Sequence, residues 1–235
     1  EVELTVNNQL GLPAGTYFGL VSHSGSRGLG ATVANYYKTV AMDVCKLPKQ
    51  VQQLAWLDLD SAEGMEYWMA MNLAGDYAKA CHDVIHQRLA KAIGGKILAT
   101  VENHHNFAWK EKQADGGELI VHRKGATPAK EGELGIIPGS MATSGYIVSG
   151  KGNSNSLFSA SHGAGRRLSR TKAKGSYTKS ELRKELKKAG VTLIGGGLDE
   201  APFAYKDIEQ VMQNQQELVN IEGKFTPLIV RMCKD

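Results

Sequence analysis

The sequence predicts an α+β fold of mixed sheets with flanking helices, and three observations carry that expectation. Short β-branched runs bounded by Gly, Asn or Pro recur along the chain. Two long stretches rich in Ala, Leu, Met and Glu repeat their apolar residues every three to four positions. The two kinds of segment do not alternate strictly, as a parallel βαβ array would require.

In chain order, the apolar run at residues 16–21 reads as a first strand, followed by helices over residues 31–45 and 61–93. In the second helix Met65, Trp68, Met69, Leu73 and Tyr77 make one apolar stripe, expected to be core. Runs at residues 96–101, 118–121, 146–148 and 227–232 read as strands. Thr178-Lys-Ser-Glu181 has the form of a capping box ahead of a short helix, which Ala189-Gly190 stops. Residues 207–216 suit a last helix, and no internal repeat or low-complexity linker is visible.

With 235 residues, 42% of them hydrophobic, and 27 glycines, the chain is expected to be one domain spanning residues 1–235. No run approaches the 18 apolar residues of a membrane span and no N-terminal signal pattern appears, so a soluble, cytoplasmic protein without a membrane partner is expected. Cys45, Cys81 and Cys233 are far apart with no CxxC, which argues against a disulfide framework or a zinc knuckle. The net charge of +4 says little, but its distribution says more. Arg166, Arg167, Arg170, Lys172 and Lys174 fall within nine residues and suit a polyanion, whereas the run from Lys179 to Lys188 reads as a solvated helix face. The first residue is Glu1 rather than Met, which reads as a processed, cloned or incompletely read chain.

Four stretches are polar, Gly-rich or His-rich where folding alone asks only for turn residues. These are Ser22-His23-Ser24-Gly25-Ser26-Arg27-Gly28-Leu29-Gly30, Asn103-His104-His105-Asn106, Ile136-Ile137-Pro138-Gly139-Ser140-Met141 and Ser161-His162-Gly163-Ala164-Gly165-Arg166. Convergence on one site is the hypothesis they suggest. In the first, backbone N–H groups at a helix start together with Arg27 form an anion-binding corner, although a tight strand-to-helix connection would look similar. Of the adjacent His104 and His105, at most one is expected to be a ligand. His82 and His86, at i and i+4, have no third ligand or HExxH glutamate beside them and read as surface or packing residues.

His162 is the sharpest candidate. Flanked by Ser161 and by Gly163-Ala164-Gly165, its imidazole is unshielded and the backbone can approach a phosphate closely. Arg166 and Arg170 could neutralise phosphoryl oxygens as charge develops. That is the set a histidine attacking phosphorus needs. A histidine capping a glycine turn remains the bland alternative.

Taken together, the four segments, with His122-Arg123-Lys124-Gly125-Ala126, the Ser169 to Lys174 stretch, Ala204-Tyr205-Lys206-Asp207 and the terminal Lys234, resemble the RtcB-type RNA-splicing ligases. The resemblance runs through nearly the whole chain. It implies an RtcB-like catalytic domain that joins RNA 3'-phosphate or 2',3'-cyclic phosphate ends to 5'-hydroxyl ends using GTP and two manganese ions. Carried over residue by residue, it makes His162 the nucleophile that takes GMP from GTP, and His23 and His105 metal ligands. It places His105, Asn106, Pro138, Gly139, Ser140, Met141, Gly145, His162, Gly163, Ala164, Gly165, Tyr205 and Lys234 around the guanylate, with Glu1 matching a glutamate that reads the guanine edge. Arg27, Arg166 and Arg170 are the phosphate and RNA contacts.

Two departures stand out. The family's Asp-x-Gly-Cys-Gly and Gly-Asn-His-Phe segments, which bring further metal ligands, have no counterpart here and are expected upstream of Glu1. Gly145 also stands where the family has serine. The rival expectations are an inactive fragment that binds nucleotide or RNA, and a manganese-dependent phosphoesterase on the same scaffold.

Overall fold

The structure is a computed structural model that describes residues 1–112 and 116–232, and these fall into two compact units. One comprises Leu20–Leu98 and the other Glu1–Gly19 with the chain from Ala99 onward.

The first unit is a helical pair, α1 (Leu29–Val44) and α2 (Ala62–Ala92). Ahead of α1 the backbone passes through two left-handed residues, Arg27 and Gly28. The Ser26 hydroxyl accepts from the Gly30 N–H at 2.8 Å, satisfying one of the free donors of the first turn. α2 is capped by Ser61, whose hydroxyl accepts from Gly64, with Glu63 in its first turn and Lys91 in its last. A side chain at Gly64 would meet the Asp58 carbonyl at 1.8 Å, so only glycine lets the preceding loop fold back there. The stripe expected to be core is not: Met65, Met69, Leu73 and Tyr77 are 55%, 64%, 65% and 46% exposed. α2 buries Gly64, Ala74, Ala78 and Ala90 instead, a small-residue face that lets another backbone come close.

The second unit is built on an antiparallel sheet. β1 (Val2–Leu4) and β2 (Gly15–Tyr17) start it; β3 (Asn106–Lys112) and β4 (Glu118–Lys124) form a separate antiparallel ribbon. β5 (Ala126–Pro128) pairs with β8 (Ser159–Ser161), and β6 (Leu134–Ile137) with β7 (Gly145–Gly150). β9 (Thr192–Ile194) lies parallel to β11 (Ile229–Arg231), and β10 (Val219–Phe225) completes the main sheet in the order β2-β1-β10-β7-β6. Three short helices join them, α3 (Arg170–Ser176), α4 (Lys179–Lys188) and α5 (Ile208–Gln213). The capping box before α4 is present in both directions between Thr178 and Glu181, and Gly190 follows the helix with φ +71°.

The strand expected over residues 96–101 is absent: the stretch has no ladder partner, Ile97 and Leu98 are exposed, and β3 begins only at Asn106. Apolar β-branched content is not enough when no neighbouring strand is there to pair with. The strand expected at 16–21 is found at Gly15–Tyr17, overlapping that run only at Thr16 and Tyr17, and the one expected at 227–232 shortens to Ile229–Arg231, the residues that find ladder partners.

One core cluster gathers Ile137, Tyr146, Val148, Ala160, Ala164, Ile208, Met212 and Val219, and a second holds Met141, Leu182, Leu186, Val191 and Ala201. Ala160 and Ala164 flank His162, so the loop carrying that residue is anchored in the core on both sides. The mixture of small sheets and helices is the α+β class expected. Among the described residues no helix is long and apolar enough to cross a membrane.

Candidate active site

His162 leaves the end of β8, and its ring sits against His105 with centroids 5.0 Å apart and planes 22° from parallel. Gly125 holds the two together through its backbone: its N–H donates to the His105 carbonyl at 3.1 Å and its carbonyl accepts from the His162 N–H at 3.4 Å. Gly125 adopts φ +73°, so the residue bridging the two histidines needs glycine's freedom. The His162 Nδ1 is buried and without a hydrogen-bond partner. A buried polar atom left in that state marks a place where a ligand or a strained group is accommodated.

The cradle around His162 is made by backbone. Ala164 donates its N–H to the Pro138 carbonyl at 2.9 Å, and a side chain at Gly163 would meet that oxygen at 3.0 Å. Pro138–Met141 and His162–Gly165 are therefore packed on one another. Within the former, Gly139 has no room for a side chain against the Ser144 carbonyl, Ser140 donates its N–H to Thr143 at 2.7 Å, and Met141 is buried in the second cluster. Gly165, at φ +70°, accepts from the Lys206 N–H at 3.0 Å, which brings the Tyr205 segment alongside. Asn106 opens β3 one residue after His105, exposed, and accepts from Lys124 at 3.3 Å.

Arg166 and Arg170 are held in an ion network. Arg166 reaches the Tyr205 hydroxyl at 3.3 Å, Glu200 at 3.4 Å and the Asp199 carbonyl. Arg170 pairs with Asp199 at 2.6 Å and with Glu200. The Tyr205 hydroxyl donates to Glu200, and burial together with that carboxylate pushes its pKa up to about 12. Burial pulls Asp199 upward, but the Arg170 hydrogen bond and the nearby Lys174 outweigh it and hold the carboxyl below its usual range.

Glu1 lies beside the start of β1, exchanging backbone hydrogen bonds with Thr226, whose hydroxyl reaches Ser144 at 3.2 Å. Gly145 follows directly, and a Cβ there would meet the Phe225 ring at 2.2 Å, so a serine at this position would have to displace the ring. His23 and Arg27 are exposed in the helical unit. Ser22 and Ser24, on either side of His23, bond to His86 at 2.9 Å and His82 at 2.8 Å, so the two histidines read as packing residues clasp this loop to α2. Lys234 lies outside the described residues. Among the described residues there is no group of three His, Cys, Asp or Glu side chains placed to hold a metal ion.

Four further contributors were not singled out as site residues from the sequence. Gln215 accepts from the Ser161 N–H at 3.0 Å, and Asp199 and Glu200 gather the arginines. Arg123, 1% exposed and paired with Glu111, donates to Ser159 and the Leu157 carbonyl on the approach to β8. Only Arg123 lay in a stretch already noted for its resemblance, and nothing local marks the others.

A family model described as tRNA-splicing ligase RtcB matches residues 2–232. The chain belongs to the RtcB family. It is 35% identical over 218 residues to the RNA-splicing ligase RtcB of Escherichia coli K12, a match covering 86% of this chain and 53% of that protein. It is 35% identical over 241 residues to the tRNA-splicing ligase RtcB of Nanoarchaeum equitans, covering 88% and 50%. The Thermococcus kodakarensis tRNA-splicing ligase RtcB is 31% identical over 268 residues, covering 97% and 55%. The chain thus spans about half the length of the curated RtcB relatives it matches.

Proposed function

We propose that this RtcB chain carries the nucleotide-transfer centre of an RNA ligase that joins 3'-phosphate or 2',3'-cyclic phosphate ends to 5'-hydroxyl ends at the expense of GTP. The observation that supports this most is His162, with a buried, unpartnered Nδ1 in a backbone cradle formed by three other segments of the chain. With Nδ1 enclosed, the reading assigns attack to Nε2. Its bond to the α-phosphorus of GTP forms as the bond to pyrophosphate breaks. A 2',3'-cyclic phosphate end is first opened by water, which breaks its bond to O2' and leaves a 3'-phosphate; an oxygen of the 3'-phosphate then displaces the histidine, and the 5'-hydroxyl oxygen, losing its proton, attacks that 3'-phosphorus, releasing GMP and leaving a phosphodiester. Arg166, oriented by Tyr205 and Glu200, is the cation nearest in sequence to the charge that develops. Asn106, Pro138–Met141, Gly163–Gly165 and Tyr205 line the nucleotide, and the Gly145–Phe225 contact removes the side chain that a serine would offer it. A histidine held in a backbone cradle beside Arg166 favours this reading over simple phosphoester hydrolysis, which needs no nucleophilic histidine.

Two manganese ions belong to the proposed reaction, with His23 and His105 among their ligands. The described residues alone do not fit such a centre: no three His, Cys, Asp or Glu side chains among them are placed to hold a metal ion, and imidazoles by themselves lack the anionic ligands that offset a divalent charge. The 235-residue chain by itself is therefore expected to bind manganese weakly and to join no RNA. Robust joining by it would show that other residues complete the centre, with Glu1, Glu3 or Cys45 first to test. The reaction is tested by incubating the full-length protein with manganese and GTP labelled on the α-phosphate. Label should stay with the protein and be lost in His162→Ala; equal labelling of the two overturns the assignment.

A further inference from the structure

A groove of about 520 Å³ runs along one side of α4, floored by Leu182, Leu186, Val191, Leu193 and Leu198. Lys179, Arg183 and Lys187 line it. These three are spaced i, i+4, i+8, so they form one row on the helix with a rise of about 6 Å between neighbours. All three are exposed, and among the described residues none is ion-paired. That sets them apart from Arg166, Arg170 and Lys174, whose charges face Asp199 and Glu200. Facing the row, Gly195 and Gly196 form an exposed wall with φ +74° and +116°, bare of side chains.

The charge of this face is concentrated. Residues 166–188 contain ten Lys or Arg against two Asp or Glu, while the whole chain nets only +4, so everything outside the segment is net negative. One of those two acids, Glu181, is turned into the capping box. The segment is also continuous with the candidate active site, since α3 starts four residues after Arg166 and leads directly into α4. A row of unpaired cations above an apolar floor, reached from the nucleophile's own loop, suits a single strand whose phosphates follow the helix and whose bases or sugars cover the floor.

We propose that the α4 groove is a docking surface for the RNA substrate, holding the backbone of the strand some nucleotides away from the end that reacts at His162. Lys179, Arg183 and Lys187 contact phosphates and so carry no sequence preference, because the phosphate is the same at every nucleotide. The proposal rests on the ligase reading for its partner. It differs from that reading in placing binding on a surface that no part of the nucleotide chemistry uses.

The test is fluorescence anisotropy of a labelled single-stranded RNA of about 20 nucleotides, titrated with the 235-residue chain across a range of salt. A Lys179→Gln, Arg183→Gln, Lys187→Gln variant should bind at least about tenfold more weakly, with the slope of log K against log salt shallower by about 2. A control with Lys38, Lys46 and Lys49 changed to Gln, equal in net charge, should lose far less. Exchanging Lys for Arg and Arg for Lys at the three groove positions should restore binding. Equal affinity and slope in the groove and control variants overturns the proposal, as does no RNA binding by the unaltered chain. Poly-glutamate of matched charge binding as tightly as RNA would show a generic acidic partner and also overturn it. Labelling of His162 by GTP in the full-length protein is read separately and should be unchanged by the groove variant. Loss of labelling in the unaltered protein would fault the ligase reading, while the anisotropy result still decides the groove.

Discussion

Removing Arg123 would leave the buried Glu111 carboxylate without its guanidinium partner. Its guanidinium is 1% exposed and forms a two-pronged pair with Glu111, itself 3% exposed, at 2.8 and 3.2 Å. It also donates to Ser159 at 2.8 Å and to the Leu157 carbonyl at 2.9 Å, where the backbone takes two successive left-handed residues, Leu157 and Phe158. Truncating one partner of a buried pair costs about 3–5 kcal/mol, because the other charge is left desolvated. Lys130 lies 3.6 Å from Glu111 and is half exposed, so it can swing in and take up part of that charge. The lost bonds to Ser159 and Leu157 push the other way by about 1 kcal/mol each. Arg123→Ala is therefore expected to cost about 3–5 kcal/mol, a urea midpoint lower by roughly 1–3 M. Trp109 lies 4.9 Å from the guanidinium and reports on the transition by its fluorescence, in a background where Trp56 and Trp68 are replaced by Phe. Adding Glu111→Leu to Arg123→Met should recover a large part of the loss, since no orphaned charge remains. A cost below about 1 kcal/mol, or a double variant no better than the single, would refute the reasoning.

Two further outcomes follow from the same geometry. Gly145→Ser must displace the Phe225 ring, which a Cβ would meet at 2.2 Å, and should cost about 1–3 kcal/mol in thermal unfolding, with Phe225→Leu relieving most of it; no destabilisation would mean the ring moves freely. Asp199 has its pKa lowered in the folded state, so its contribution to stability is present above the ordinary aspartate value near 3.9 and is lost as pH falls through the folded value. Thermal midpoints recorded from pH 6 to pH 2.5 should fall more steeply for the unaltered protein than for Asp199→Asn, and parallel curves would remove Asp199 from the account.

The sequence by itself determined the class of fold, the helices over α1 and α2, the α4 capping box and the family. These depend on periodicity, on capping chemistry within four residues, and on ordered motifs, all of which are local. It also singled out His162 and the Pro138–Met141 loop, because glycines and histidines placed where a turn needs neither are visible without a structure, whereas the choice of His105 over His104, and Tyr205, came from the resemblance alone. Only the tertiary structure decided that Gly125 joins His105 to His162 and that Asp199 and Glu200 occupy Arg166 and Arg170. The same holds for the exposure of the Met65, Met69, Leu73 and Tyr77 stripe over a buried alanine face, and for the missing strand at 96–101. In each of these the deciding partner is distant in sequence or absent, and a residue's own neighbours carry no record of what will lie across from it. Helical periodicity shows that a face is apolar; what covers it, and whether a strand finds an edge to pair with, depends on how the rest of the chain comes round.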